Sequence, residues 1–216
     1  EARDVIRGFV AHADRGIIPN RFSDRGEPPE YNTVDATLWL FQAVRGYLEA
    51  GGDVAFVRDE LYPRLREVIA WHLRGTHHGI GVDPEDHLLV AGGEGTQLTW
   101  MDARVDGRVM TPRHGKPVEI NALWYNALCL MAAWSERMSD PDGADYRARA
   151  EAHYRQFNRR FWFARGDYLY DVVDAEADGG VGRWDDPRCR PNQVLAISLP
   201  HAPLPRSSLP RLMIWS

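Results

Sequence analysis

Apolar positions recur at three- and four-residue intervals along most of the chain, the spacing that gathers them on one stripe of an α-helix. Val34, Leu38, Phe41, Val44, Tyr47 and Leu48 form such a stripe between Asn32 and Ala50, and Gly51, Gly52 and Asp53 end it. A second stripe runs from Val54 to about Arg74 on Phe56, Val57, Leu61, Leu65, Val68, Ile69 and Leu73. Pro63 is expected to kink or split it, because proline donates no backbone hydrogen bond. A third helix is predicted over Val118 to Met138, a fourth over Ala144 to Phe163, and a fifth from near Pro191. Val5, Ile6, Phe9, Val10 and Ala13 keep the same spacing without an initial Met, so the chain is expected to open inside or just before a helix, with sequence missing upstream. Residues 202–216 are proline-rich and aperiodic, and read as an irregular tail that interrupts the fifth helix.

The first and third helices resemble each other. An offset of 84 positions lays Asp35 on Glu119, and with it Val34 on Val118, Thr37 on Asn121, Phe41 on Tyr125, Gln42 on Asn126, Ala43 on Ala127 and Val44 on Leu128. Each helix begins with an acid after a valine, and each is followed by a return helix, the pattern of stacked helical hairpins. The loops between are long, above all Gly75 to Pro117, where GIGVDPEDHLLV flanks a DPED turn with β-branched residues and predicts a small β-hairpin near 80–90. Loops of this length in a compact domain are usually functional. The expected fold is therefore all-α, part of a toroidal barrel of paired helices with a pocket where the inner helices start; a plain helical bundle is the alternative.

Composition removes several function classes. The net charge is −5 and Lys and Arg are dispersed, which speaks against a nucleic-acid footprint. No apolar run approaches the roughly 18 residues of a membrane helix, and the N-terminus lacks a signal-peptide pattern, so the expectation is a cytoplasmic protein with no membrane partner. Cys129 and Cys189 show neither metal spacing nor a disulfide framework, and Cys129 lies in an apolar helical pattern where a buried thiol is expected. His77, His78 and His114 lack metal-ligand spacing, and GGEG at 92–95 lacks the Lys-Ser/Thr of a phosphate loop. Neither a metal nor a cofactor is expected.

The remaining polar and aromatic residues point to sugars. Cleaving a glycosidic bond takes one carboxylic acid to protonate the leaving oxygen and a second carboxylate to activate water or to act as nucleophile. Asp102 follows Trp100 in a loop, where an aromatic wall favours the protonated acid, although a local turn bond also explains an Asp there. Glu119 is the second acid nearby. It and Asp35 open their helices, where the helix dipole alone also favours an acid. Asn32, Asn121 and Asn126 offer amides to sugar hydroxyls. Tyr31, Trp39 and Trp124 offer faces for stacking on a hexose, with core packing as the alternative for each. Arg21, Arg113 and Lys116 are cations that hold carboxylates or hydroxyls.

Four strings, IPNRFSDRGEPPEYNTVDATLW, RGTHHGIGVDPEDHLL, QLTWMDA and TPRHGKPVEINALWYNAL, resemble in order the C-terminal amylo-α-1,6-glucosidase domain of bacterial and archaeal glycogen debranching enzymes, over about residues 1–201. The resemblance implies an (α/α)6 barrel and hydrolysis of α-1,6-linked glucose in branched α-glucan with inversion. The Asp of the family's TWMD motif, the proposed general acid, falls on Asp102. Asn32, Asp35, Arg113, Lys116 and Glu119 are then expected around the sugar, as are Asn20 and Arg21 of the first string. A complete barrel has more helices than the five or six found here, and the family's second carboxylate lies further downstream. Residues 1–201 thus read as a partial domain whose activity alone is in question. A carbohydrate-binding remnant without turnover, or a glucoamylase-like or trehalase-like hydrolase, are the other readings.

Overall fold

The computed structural model describes residues 1–22, 27–93, 95–106, 108–176 and 182–205. Helix α1 spans Ala2–Ala11 and α2 spans Asp35–Glu49. The second predicted helix starts with a short α3, Val54–Phe56, passes through a π-helical turn at Val57–Leu61, and continues as α4, Tyr62–Arg74. Asp53 caps its start, its Oδ1 accepting from the amides of Ala55 and Phe56 at 2.9 and 3.3 Å. Pro63 sits in the first turn of α4, directly after the π turn, where the amide that proline lacks is least needed, and the helical pattern changes there without ending the segment.

The long loop is only partly irregular. Gly81–Val82 (β1) pairs antiparallel with Leu89–Val90 (β2), the hairpin expected near 80–90. Arg104–Val105 (β3) pairs with Arg108–Val109 (β4), and Lys116–Pro117 (β5) leads directly into α5, Val118–Met138. Helix α6 covers Gly143–Arg160 and stops before Trp162–Phe163 (β6), which pairs with Tyr168–Leu169 (β7). Val172–Glu176 (β8) lies between β5 and Arg183–Asp186 (β9) in a three-stranded antiparallel sheet. The fifth predicted helix is a 3-10 turn, Pro191–Val194, followed by α7, Leu195–Ser198. The expectation of an all-α chain thus holds for the framework and fails for the loops. The β1–β2, β3–β4 and β6–β7 pairs follow from local turn closure, and the three-stranded sheet joins segments that no local periodicity relates.

Helix α5 is the centre. It is buried on most of its circumference, from Val118 through Ser135, and it packs against α2, α6 and α7. It carries no glycine or proline and ends at Ser139, which adopts a left-handed backbone with φ of 54°. Among the described residues no helix is long and apolar enough to cross a membrane. Cys129 is half-buried on α5, and burial pushes its thiol up to about 11.

Two histidines are sealed in this core. His72 on α4 stacks on Trp124 of α5, with ring centroids 5.4 Å apart, and its Nδ1 donates to the Val68 carbonyl at 2.8 Å. Its Nε2 is buried with no partner among the described residues, so a second proton has nowhere to bond. His153 on α6 stacks on Tyr125 and donates from Nδ1 to the His87 carbonyl at 3.1 Å. Burial pushes both imidazoles down to about 4.

The unfolded chain takes up these two protons below about pH 6.5 and the folded chain only near pH 4, so stability is lost as pH falls through that window. Each histidine is expected to remove about 2 kcal/mol between pH 7 and pH 5. Urea unfolding at the two pH values measures the loss, and His72→Gln should flatten the dependence by about half. Equal stability at both pH values would show that these imidazoles are not held neutral.

Candidate active site

Three helix starts meet on one irregular segment, Leu98 to Asp102. The amide of Val34, the residue before α2, donates to the Leu98 carbonyl at 2.9 Å. Arg113, just ahead of α5, reaches the Thr99 hydroxyl from Nη1 at 3.4 Å. Asn192, in the 3-10 turn that leads into α7, accepts from Trp100 Nε1 at 2.9 Å and contacts Met101 Sδ from Nδ2 at 3.4 Å. Trp100 and Asp102 face solvent above these contacts, Trp100 being 58% exposed.

The chain approaching α5 is held by backbone pairing. Gly115 exchanges amide and carbonyl with Ala91 at 3.1 and 2.8 Å, and Lys116–Pro117 pairs with Val173–Val172. A glycine is needed at 115: its φ is 122°, and a Cβ there would lie 2.6 Å from the Asp174 carbonyl oxygen. This close approach aims Arg113 and Lys116 into two separate clusters.

Arg113 is buried between two acids. Its Nη1 and Nη2 grip both oxygens of Glu119, the second at 2.7 Å, and its Nε and Nη2 grip Asp171 at 2.9 Å each. Asp171 also accepts from Arg190 and, at 2.7 Å, from Asn192 Nδ2, while Arg190 reaches Asp186 at 3.1 Å. Burial pushes the Glu119 carboxyl up, and Arg113 offsets only part of that rise. The guanidinium keeps its charge against the same burial through Glu119 and Asp171. Glu119, the expected second catalytic carboxylate, is 2% exposed and has both its oxygens engaged by Arg113.

Lys116 has a comparable fate. Its three ammonium donors go to Asp83, Asp86 and Asp174 at 2.9, 2.7 and 2.7 Å, and Arg160 adds a second cation on Asp86 and Asp174 at 3.0 and 2.8 Å. Burial would lower its pKa, but the carboxylates hold it above the usual value, and every donor is spent inside the protein.

The other expected site residues divide. Asp35, half-buried, accepts from the Thr33 hydroxyl at 2.6 Å and the Ala36 amide at 2.9 Å, at the helix end that adjoins the segment. Trp39 is 41% exposed on α2, and Asn32 is exposed just ahead of it. Asn121 spends its amide on Leu89 and Pro117 backbone atoms at 2.7 to 3.0 Å, and Trp124 is 1% exposed, so both tie the hairpin and α4 to α5 instead of facing a ligand. Asn126 is buried and accepts from the His201 amide. The partners of Asn20, Arg21 and Tyr31 are Glu30, His12 and His77, all outside the three contacts that frame the segment.

Sequence reasoning missed Asp171, Asp186, Arg190 and Asn192. A signal existed: Asp171 interrupts an apolar strand pattern, LYDVV, and a charge at such a position needs a partner. Replacing Arg113 by Met leaves Glu119 and Asp171 buried without their cation. It is expected to cost about 3–5 kcal/mol of folding stability in urea titration. A loss under about 1 kcal/mol would mean that water reaches this pair.

Comparison with curated proteins gives no match. Among solved structures, a rhamnosidase from Klebsiella oxytoca with rhamnose bound shares the fold, with a TM-score of 0.56 and 15% sequence identity over 81% of this chain. The chain spans 32% of the length of that protein. The profile described as amylo-alpha-1,6-glucosidase matches residues 1–214, so the match runs on past position 201 into the proline-rich segment. On that match the chain belongs to the amylo-α-1,6-glucosidase family.

Proposed function

We propose that the protein is a glycoside hydrolase that removes α-1,6-linked glucose from branched α-glucan with inversion, on an (α/α)6 barrel of which these helices form a part. The observation that carries this reading is the convergence of the starts of α2, α5 and the α7 segment on Leu98–Met101, which leaves an exposed indole and, two residues on, an exposed carboxyl on an anchored backbone. Family membership supplies the substrate class. Asp102 is the general acid that protonates the leaving glycosidic oxygen, and Trp100 is the wall against which the sugar ring stacks. Trp39, Asn32 and Asp35, at the adjoining end of α2, supply further contacts to the sugar. Because Glu119 is committed to Arg113, the carboxylate that activates water is a different residue. A cytoplasmic location and a glycogen-type partner belong to this same reading.

A second reading has its own support. The rhamnosidase shares the fold, so a hydrolase of another sugar on the same scaffold is the alternative. Glucose release from a glycogen limit dextrin, set against release from aryl α-rhamnoside and from linear maltooligosaccharide, separates the two. Asp102→Asn keeps the shape and removes the proton, and is expected to lower turnover about 10²- to 10⁴-fold. Near wild-type debranching by that variant would remove Asp102 from the acid role.

A further inference from the structure

The indole of Trp100 is more than half exposed, yet its orientation is not free. Its one hydrogen bond runs from Nε1 to Oδ1 of Asn192, and Asn192 is 4% exposed. The same amide reaches Asp171 Oδ1 from Nδ2 at 2.7 Å and Met101 Sδ at 3.4 Å. Asn192 therefore brackets Trp100 and Met101, the two residues that lead to Asp102.

Which end of the amide faces the indole is decided chemically. An ionised carboxylate only accepts hydrogen bonds, so the Asn192 NH2 must turn toward Asp171. That leaves the amide oxygen facing the indole N–H, which only donates. Both Asp171 oxygens accept from guanidinium groups, Oδ2 from Arg113 and Arg190 and Oδ1 from Arg113, and Asp171 is 1% exposed. The order of groups is Arg113 and Arg190, Asp171, Asn192, Trp100, and at each step donor and acceptor alternate in only one way.

We infer that Asp171 and Asn192 are positioning residues that set the angle of the Trp100 ring, and through it the sugar-binding wall beside Asp102. This rests on the functional reading above for the identity of the ligand, but not for the geometry. A bound ring stacks on a face whose orientation has been fixed before binding, so the ordering cost falls on folding instead of on binding. Asp171 touches no ligand; it acts through the amide.

The test uses the 216-residue chain with 15N-labelled tryptophan. The Trp100 indole signal is assigned by its loss in Trp100→Phe. In the wild-type chain the Trp100 N–H is expected to exchange with solvent about tenfold more slowly than an unbonded surface indole. Asn192→Ala, which leaves every Arg113 and Arg190 ion pair in place, should remove that protection and shift the signal. Asp171→Asn should do the same by allowing the amide to turn over. Isomaltose, as an α-1,6-linked probe, should shift the Trp100 signal in the wild-type chain, and should need about a tenfold higher concentration to do so in Asn192→Ala.

An unprotected Trp100 indole in the wild-type chain overturns the proposal before any variant is made. So does an unchanged Trp100 signal in a folded Asn192→Ala chain. Protection lost in Asn192→Ala with no isomaltose response in any chain leaves the positioning role standing, and counts against the α-1,6-glucan reading. In an enzyme with measurable debranching, Asn192→Ala should raise KM by a larger factor than it lowers kcat, a split that a merely destabilised fold does not produce.

Discussion

Arg113 carries a charge that cannot be neutralised into a part of the molecule that water does not reach. A guanidinium there must be surrounded by acceptors, and the acceptors come from separate parts of the chain: Glu119 at the start of α5, Asp171 ahead of β8, and the Thr99 hydroxyl. Each partner is thereby fixed relative to the other two. Asp171 in turn draws in Arg190 and Asn192. The cost of leaving any of these groups unpaired in a dry interior is several kcal/mol, far more than a surface contact contributes. The path of the chain around the candidate site follows from that one requirement.

Lys116 repeats the principle three residues on. Arg113 and Lys116 flank Gly115, whose backbone passes too close to Asp174 for any side chain, and their side chains enter different acid clusters. The Lys116 cluster ties the β1–β2 turn, through Asp83 and Asp86, to β8 and the end of α6. Among the described residues, the stretch from Gly75 to Pro117 contains a 3-10 turn and strands of two residues, so backbone pairing alone does not hold its shape. Buried Ile80, Leu88, Leu89 and Leu98 anchor it to the core, and charge pairing at its end adds a second hold.

The helices were legible because their information is local: a stripe of apolar residues specifies α2, α4, α5 and α6 whatever lies opposite. The β1–β2 hairpin was legible for the same reason, since its turn and both strands lie within twelve residues, Ile80 to Ala91. The sheet of β5, β8 and β9 was not, because β5 pairs with a strand that lies beyond two helices. The candidate site divides along this line. The exposed pair Trp100 and Asp102 could be found from a motif, and the structure gives both a setting consistent with it. Glu119, Lys116 and Asn121 stand in the same strings and carry the same polar chemistry as ligand-binding groups. Only their partners, 4 to 58 residues away, distinguish a side chain turned to a sugar from one turned to an arginine or a strand. Motif membership alone does not separate exposed side chains from those whose polar groups are spent inside the protein.

The division of labour has a physical basis. A catalytic carboxyl needs freedom from internal partners so that its proton is available to the substrate, while its position must be held within a fraction of an ångström. A side chain bonded on all sides satisfies the second demand and fails the first. Here the two demands fall on different residues. The backbone of Leu98 and the side chains of Thr99, Trp100 and Met101 take the contacts from Val34, Arg113 and Asn192, and Asp102, next along the chain, stays exposed. The permanent charges lie below, where the absence of water makes them strong, and the group proposed to give up a proton lies above, where it is exposed. Substitutions in the lower layer should therefore act on the geometry of a reaction whose chemistry they never touch.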